Sequence, residues 1–406
     1  MVRSRLLLGV ATLTSVLSWT VIVAQETGST TARNASAAAE WRARGVQSGY
    51  NLDRAEAIAA FRHAIDADPT SPASHRLLAA TAWTALLFDQ GAITIEDYLG
   101  TAQDVPHAAP DPIWNALFRS SIDRASALAD ALVRAHPDSV DAQYQLGATN
   151  ALQAAYSATV EGRVVGSLGF IRHAYRAHDR LLQAAPERKD AGLVVGIYRY
   201  TISTLSFPKR VGAYLAGLSG SRNEGLRLVE AAASYRSDAQ PQAKFTLILL
   251  YTREKRYDDA LRVVRELKEQ FPRNRLIWLE EGSTLLRAGR ADAARRSLET
   301  GLSLFLEDTR PRARGEESRW RYAYGSALNV LDDGVAAHRE LTTALGLATR
   351  DWVRGRIHIE LGQLAGKSGD RATALAAYRD AERLCSGDHD DACADQARER
   401  MKERRP

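Results

Sequence analysis

The sequence lacks the short patterns that carry the commonest chemistries. No Gly-x-Ser-x-Gly elbow, His-Glu-x-x-His helix, phosphate-binding glycine loop with its lysine, or Cys-x-x-Cys occurs in its 406 residues. Catalysis through any of those devices drops out, and no catalytic residue is assigned. Runs of alternating β-branched residues bounded by turns are missing too, so the chain reads as all-α. Lysine is scarce: 7 of the 54 basic residues, the other 47 being arginine. These are spread along the chain, and the net charge of +5 is slight for this length, so no nucleic-acid partner is expected. Cysteine is almost absent, with only Cys385 and Cys393. In an oxidising compartment a disulfide is their natural pairing. Two free thiols are an alternative, as is a metal site with Asp388, His389, Asp390 and Asp391, but one acidic loop rarely supplies the geometry a metal needs. No metal and no cofactor is assigned.

The first 24 residues read as a targeting segment: Arg3 and Arg5, an apolar run from Leu6, then Ile22-Val23-Ala24 with a small residue at the cut. The run is about as long as the ~20 residues that span a bilayer. Cleavage after Ala24 and retention as an anchor both stay open; either way the body is exported, to a bacterial periplasm or envelope, and retention would make it membrane-proximal. Residues 25–39, rich in Thr, Ser, Ala and Gly, are expected to be a disordered lead-in.

The informative stretch is Ala243 to Gly301. Tyr251, Tyr257, Ala260, Val264, Leu267 and Pro272 are followed by Trp278, Gly282, Gly289, Ala294, Leu298 and Gly301, with Ala260 and Ala294 separated by 34 residues. That period, with small residues where two helices cross and a proline after the second, resembles the tetratricopeptide repeat. Trp41, Gly45, Ala57, Phe61, Ala64 and Pro69 repeat the pattern near the start, and Leu361, Gly362, Gly369, Ala374, Tyr378 and Ala381 near the end. The resemblance implies a right-handed superhelical solenoid of antiparallel helix pairs, continuous over 40–404, with regular repeats at 40–71 and 241–384 and diverged ones at 72–240. The last helix, Ala392 to Arg404, has a polar face suited to capping the open core.

Three stretches depart from the pattern. Ile93 to Pro112 is an insertion too rich in proline at its end to be helix, and it either caps the groove or hangs free. Leu304 to Glu317 is a polar insertion extending from one face. Between them, Gly196-Ile-Tyr-Arg-Tyr, Leu205-Ser-Phe-Pro, Gly217-Leu-Ser-Gly-Ser-Arg and Gly225-Leu follow in order. That order resembles the diverged repeat family of outer-mitochondrial-membrane and inclusion-body-clearance proteins with its bacterial relatives, and it implies at most a membrane-proximal role. His173 and His178, among Arg172, Arg176, Asp179 and Arg180, read as a solvated face. Tyr198 and Tyr200 read as core residues with one phenol reaching a partner.

In the family resembled, the first helix of each pair lines a concave groove through its second, fifth, ninth, twelfth and thirteenth positions. On the central pair these include Phe245, Leu249, Arg253, Leu279, Leu286 and Arg287. The first two, with Leu279 and Leu286, would make an apolar floor carrying two cations one repeat apart; Lys367, beside Arg356 and Gln363, takes the corresponding place in the last repeat. Such a groove suits a protein or peptide segment with apolar anchors and an acidic group. The Lys and Asn with which family members clamp a C-terminal carboxylate are replaced by Phe245 and Leu249. The expectation is a non-catalytic exported scaffold or adaptor in an envelope assembly. The alternative is a module binding a small hydrophobic ligand in the apolar 191–225 region. Nothing in the sequence sets the oligomeric state.

Overall fold

The computed structural model describes residues 33–92, 94–99, 109–163, 166–205 and 220–403. They hold seventeen α-helices and no strand. The helices are α1 (33–50), α2 (Arg54–Ala67), α3 (Pro72–Gln90), α4 (Pro112–Ala135), α5 (Val140–Thr159), α6 (Leu168–Ala184), α7 (Gly192–Thr204) and α8 (Arg222–Ser234). The chain continues through α9 (Gln240–Arg253), α10 (Tyr257–Gln270), α11 (Arg275–Arg287), α12 (Ala291–Glu307), α13 (Glu316–Val330), α14 (Gly334–Gly346), α15 (Asp351–Lys367), α16 (Arg371–Gly387) and α17 (Asp391–Lys402). Consecutive helices pair as hairpins from α1–α2 to α15–α16, each hairpin packs on the next, and α17 closes the stack.

One packing device recurs. A glycine in the first helix of a pair receives a large side chain from the second, because a Cβ there would fall within 2.8 Å of it: Gly45 takes Phe61, Gly147 His178, Gly282 Leu298, Gly325 Leu341 and Gly362 Tyr378. These inserted side chains are buried, each apolar one worth about 1.5–3 kcal/mol of transfer free energy. The spacing, the pairing and this crossing together make the fold a tetratricopeptide-repeat-like α-solenoid. In the diverged stretch the same device goes further. Gly196 and Gly225 face each other across α7 and α8, where a Cβ on either would lie 2.6–2.7 Å from the other's carbonyl oxygen.

Four expectations need correction. Residues 33–39, assigned to a disordered lead-in, are the first turns of α1, and Ala38 is fully buried; alanine's helix preference and that burial outweigh the polar composition. His178 is 1% exposed rather than solvated, because α6 turns it into the Gly147 slot, whereas His173 is exposed. Within the 93–112 insertion Ile95–Tyr98 forms a 3-10 turn, and Pro112 opens α4, where Asp111 caps the amides of Ile113 and Trp114. The polar insertion after α12 is a tie, not a free extension. Arg310 donates to the carbonyl oxygens of Asn51 and Arg273 and to the carboxylates of Asp53 and Asp308.

The targeting segment at 1–24 lies outside the described residues. Among those described, no helix is long and apolar enough to cross a membrane. Cys385 and Cys393 form a disulfide, with Sγ atoms 1.99 Å apart, between α16 and the start of α17.

Candidate peptide-binding groove

The first helices of four successive hairpins, α9, α11, α13 and α15, each direct one arginine at the same short segment, Thr94–Leu99. Arg253 Nη2 of α9 donates to the main-chain oxygen of Tyr98 at 2.6 Å. Arg287 of α11 lies 3.1 Å from Glu96 Oε1 and Arg356 of α15 lies 3.6 Å from the same oxygen, so Glu96 sits between two guanidinium groups. Arg319 of α13 grips both oxygens of Asp97, with side chains 3% and 1% exposed, and also donates to Thr94 Oγ1 and to the carbonyl of Gly91. Two parallel N–H donors to one carboxylate make the strong, orienting form of this contact. A fifth arginine, Arg350, stands 3.7 Å from Asp97.

The segment also carries hydrogen bonds of its own that fix its turn. Thr94 and Asp97 cap the turn reciprocally, Asp97 Oδ2 accepting from the amide and hydroxyl of Thr94, both at 2.9 Å. Ile95 packs on the cluster containing Leu247, Tyr251 and Phe271, together with Phe245 and Tyr50. The arginines are held from behind as well. Asp390 accepts from Arg356 Nε at 2.7 Å and Asp388 from Arg350 Nη2 at 3.1 Å, so the loop spanned by the disulfide supports two of them. Glu280 reaches Arg287 at 3.3 Å; burial raises its pKa above the usual carboxylate value, with Arg287 opposing the shift.

The expected groove residues therefore divide. Arg253 and Arg287 do converge on one acidic, apolar segment, but it belongs to this chain: residues 94–99 of the insertion lie against the groove helices, while 93 and 100–108 lie outside the described residues. Phe245 is half-buried and stacks on Tyr50 at the end of α1, ring centroids 5.7 Å apart; Leu249 is half-buried on the same helix as Phe245. Leu279 is not groove floor: it is 2% exposed in the core with Leu298 and Trp320, and Leu286 packs against that core. Lys367 turns to Asn329 and Asp332 of the preceding hairpin. Sequence reasoning missed Arg319. The signal was present, since counting back from Gly325 puts Arg319 at the second position of its repeat, where Arg356 stands relative to Gly362.

Several solved structures resemble the chain in overall fold. Yeast Tom70 is 10% identical, with 90% of this chain and 89% of that one covered and a TM-score of 0.40. The hetero-tetramer Cut9–Hcn1 is 13% identical over 90% of this chain and 55% of that one, TM-score 0.49. A tetratricopeptide repeat protein from Parabacteroides merdae is 12% identical over 80% and 99%, TM-score 0.31. No family model matches the sequence, and neither does any curated protein. At TM-scores below 0.5, these likenesses say nothing about what this chain binds.

The apolar 191–225 region is packed where it is described. Leu193, Val195, Tyr200 and Ile202 are buried, α7 lies directly on α8, and the Tyr200 hydroxyl donates to Glu254. Residues 206–219 of that region lie outside the described residues.

Proposed function

We propose that this chain is an exported, non-catalytic scaffold that holds a segment of a partner protein in the concave groove formed by α9, α11, α13 and α15. The single observation behind this reading is the ladder of Arg253, Arg287, Arg319 and Arg356, four cations from four helices aimed at one acidic segment. Of these, only Arg319 is fully buried and Arg253 is exposed, so the ladder runs from the interior to the surface, where a partner's carboxylates could reach it. Recognition of an acidic peptide needs arginines grouped in this way. The apolar start of the sequence and the disulfide fit export to a bacterial periplasm or envelope.

The test is crosslinking of a tagged copy in the native host after cell fractionation. Capture of one envelope protein from the periplasmic or membrane fraction, with crosslinks at α9–α15 that disappear in Arg253→Glu/Arg287→Glu, is the expected result. A cytoplasmic location, or capture that those substitutions leave unchanged, would remove the reading.

A further inference from the structure

Resting on that reading of the groove, we propose that Ile95–Tyr98 is a resident occupant of an acidic-peptide site, and that the partner segment carries the same pattern: an apolar residue followed by two consecutive carboxylates. The site reads that pattern by position. Ile95 enters the apolar cluster of α9 and α10, Glu96 lies between Arg287 and Arg356, and Asp97 meets Arg319. Arg253 holds only a main-chain oxygen, a contact that any sequence can make. Charge recognition therefore belongs to the two acids, and their neighbours set depth and direction.

Two features separate this segment from ordinary core. All six residues from Thr94 to Leu99 are half-buried as whole residues, with the Asp97 carboxylate enclosed and the Glu96 carboxylate partly open, and Arg253 above them is exposed. The fit is also incomplete. Arg287 Nη2 meets Glu96 Oε1 at 3.1 Å as an ion pair, and among the described residues the buried Arg319 Nε has no hydrogen-bond partner. A ligand that aligned with that donor would gain the charge-assisted bond this segment leaves unmade. The resident segment has the advantage of its tether, an effective concentration on the order of mM. A competing peptide must therefore bind better in the groove or bring contacts beyond it.

The test uses the full chain with residues 94–99 replaced by alternating glycine and serine at equal length. The probe is a fluorescein-labelled peptide, Thr-Ile-Glu-Asp-Tyr-Leu, and the control has lysine at both acidic positions. The replaced chain should bind the acidic peptide at least tenfold more tightly than the wild type does and ignore the control. Adding Arg287→Glu to it should weaken binding at least tenfold. A replaced chain with native-like circular dichroism that binds neither peptide, or both equally, overturns the proposal. Should that chain fail to fold, Glu96→Gln in the otherwise intact protein serves instead: tighter uptake of the acidic peptide than by the wild type supports the proposal, and unchanged uptake overturns it. Failure here is distinguishable from failure of the scaffold reading. A crosslinked envelope partner lost in Arg253→Glu/Arg287→Glu would leave the scaffold standing even if the resident segment never exchanges.

Discussion

Replacing His178 by leucine should remove an acid sensitivity built into the α5–α6 hairpin. The ring is 1% exposed, its Nδ1 is 2.9 Å from the Ala174 carbonyl, and its edge meets Tyr144 with centroids 5.5 Å apart. Burial is the largest influence on its protonation. The Ala174 carbonyl and Asp190 favour the charged ring, Arg76 and Arg188 oppose it, and the pKa is held down from 6.5 to about 4. The unfolded chain thus takes up its proton near pH 6.5, whereas the folded chain does so only near 4. Between those values the unfolded state binds more protons, so stability falls as pH drops through that window. A shift of this size, at about 1.4 kcal/mol per pH unit, corresponds to roughly 3 kcal/mol. Leucine is what other hairpins insert at this crossing, as Leu298 and Leu341, so His178→Leu keeps the packing and removes the titration. Urea unfolding followed by far-UV circular dichroism from pH 7.5 to 4 should show the stability difference between variant and wild type changing by about 3 kcal/mol in the variant's favour. Parallel profiles would refute the argument.

Gly225→Ala should destabilise by about 1–3 kcal/mol, the usual cost of overpacking, because its Cβ would press on the Gly196 carbonyl and the Tyr200 amide rather than on a side chain that can move; the thermal midpoint reads it. Glu316→Gln should cost about 3–5 kcal/mol by leaving Arg275 underpaired, since the two side chains are 0% and 2% exposed; the same denaturation assay checks it, and the double change Arg275→Met/Glu316→Leu should cost less. Cys385→Ser should lower stability by about 2.5 kcal/mol on the loop-closure argument, given the eight-residue separation. Reductant should produce the same drop in the wild type and none in the variant.

How much of this was legible in the sequence depends on how far each contact reaches. The regular repeats were readable because their signature is local: Gly282 and Leu298 are 16 residues apart, and a 34-residue period exposes both. The burial of His178 was not, because its slot-forming partner Gly147 lies 31 residues away across a lengthened loop, while its immediate neighbours are arginines. Polar neighbours along a chain say little about which face of a helix meets a glycine on the next. The groove arginines were half legible. Repeat position identified Arg253 and Arg287 as groove-facing, but what they face is encoded 155 and 191 residues earlier, at Tyr98 and Glu96. No periodicity connects an insertion to the helices it packs against.

Those distant contacts change how the solenoid holds together. In an open repeat array stability is close to a sum of nearest-neighbour terms, and terminal repeats can fray alone. Here the α1–α2 turn is bound into the second half of the chain. Tyr50 lies between Phe245 and Phe271, Asn51 accepts from the Arg273 amide, Asn274 donates to the Tyr50 carbonyl, and Arg310 ties Asn51 and Asp53 to Asp308. Arg319 adds the buried link to Asp97, 222 residues away. The first hairpins and the repeats from α9 onward thereby share contacts that nearest-neighbour stacking does not supply. Contacts between residues so far apart close a loop whose entropic cost falls on folding as a whole. The N-terminal hairpins accordingly bear on the candidate groove, because the segment that lies against its arginines follows α3 and the α1–α2 connection braces α9, α10 and the start of α11.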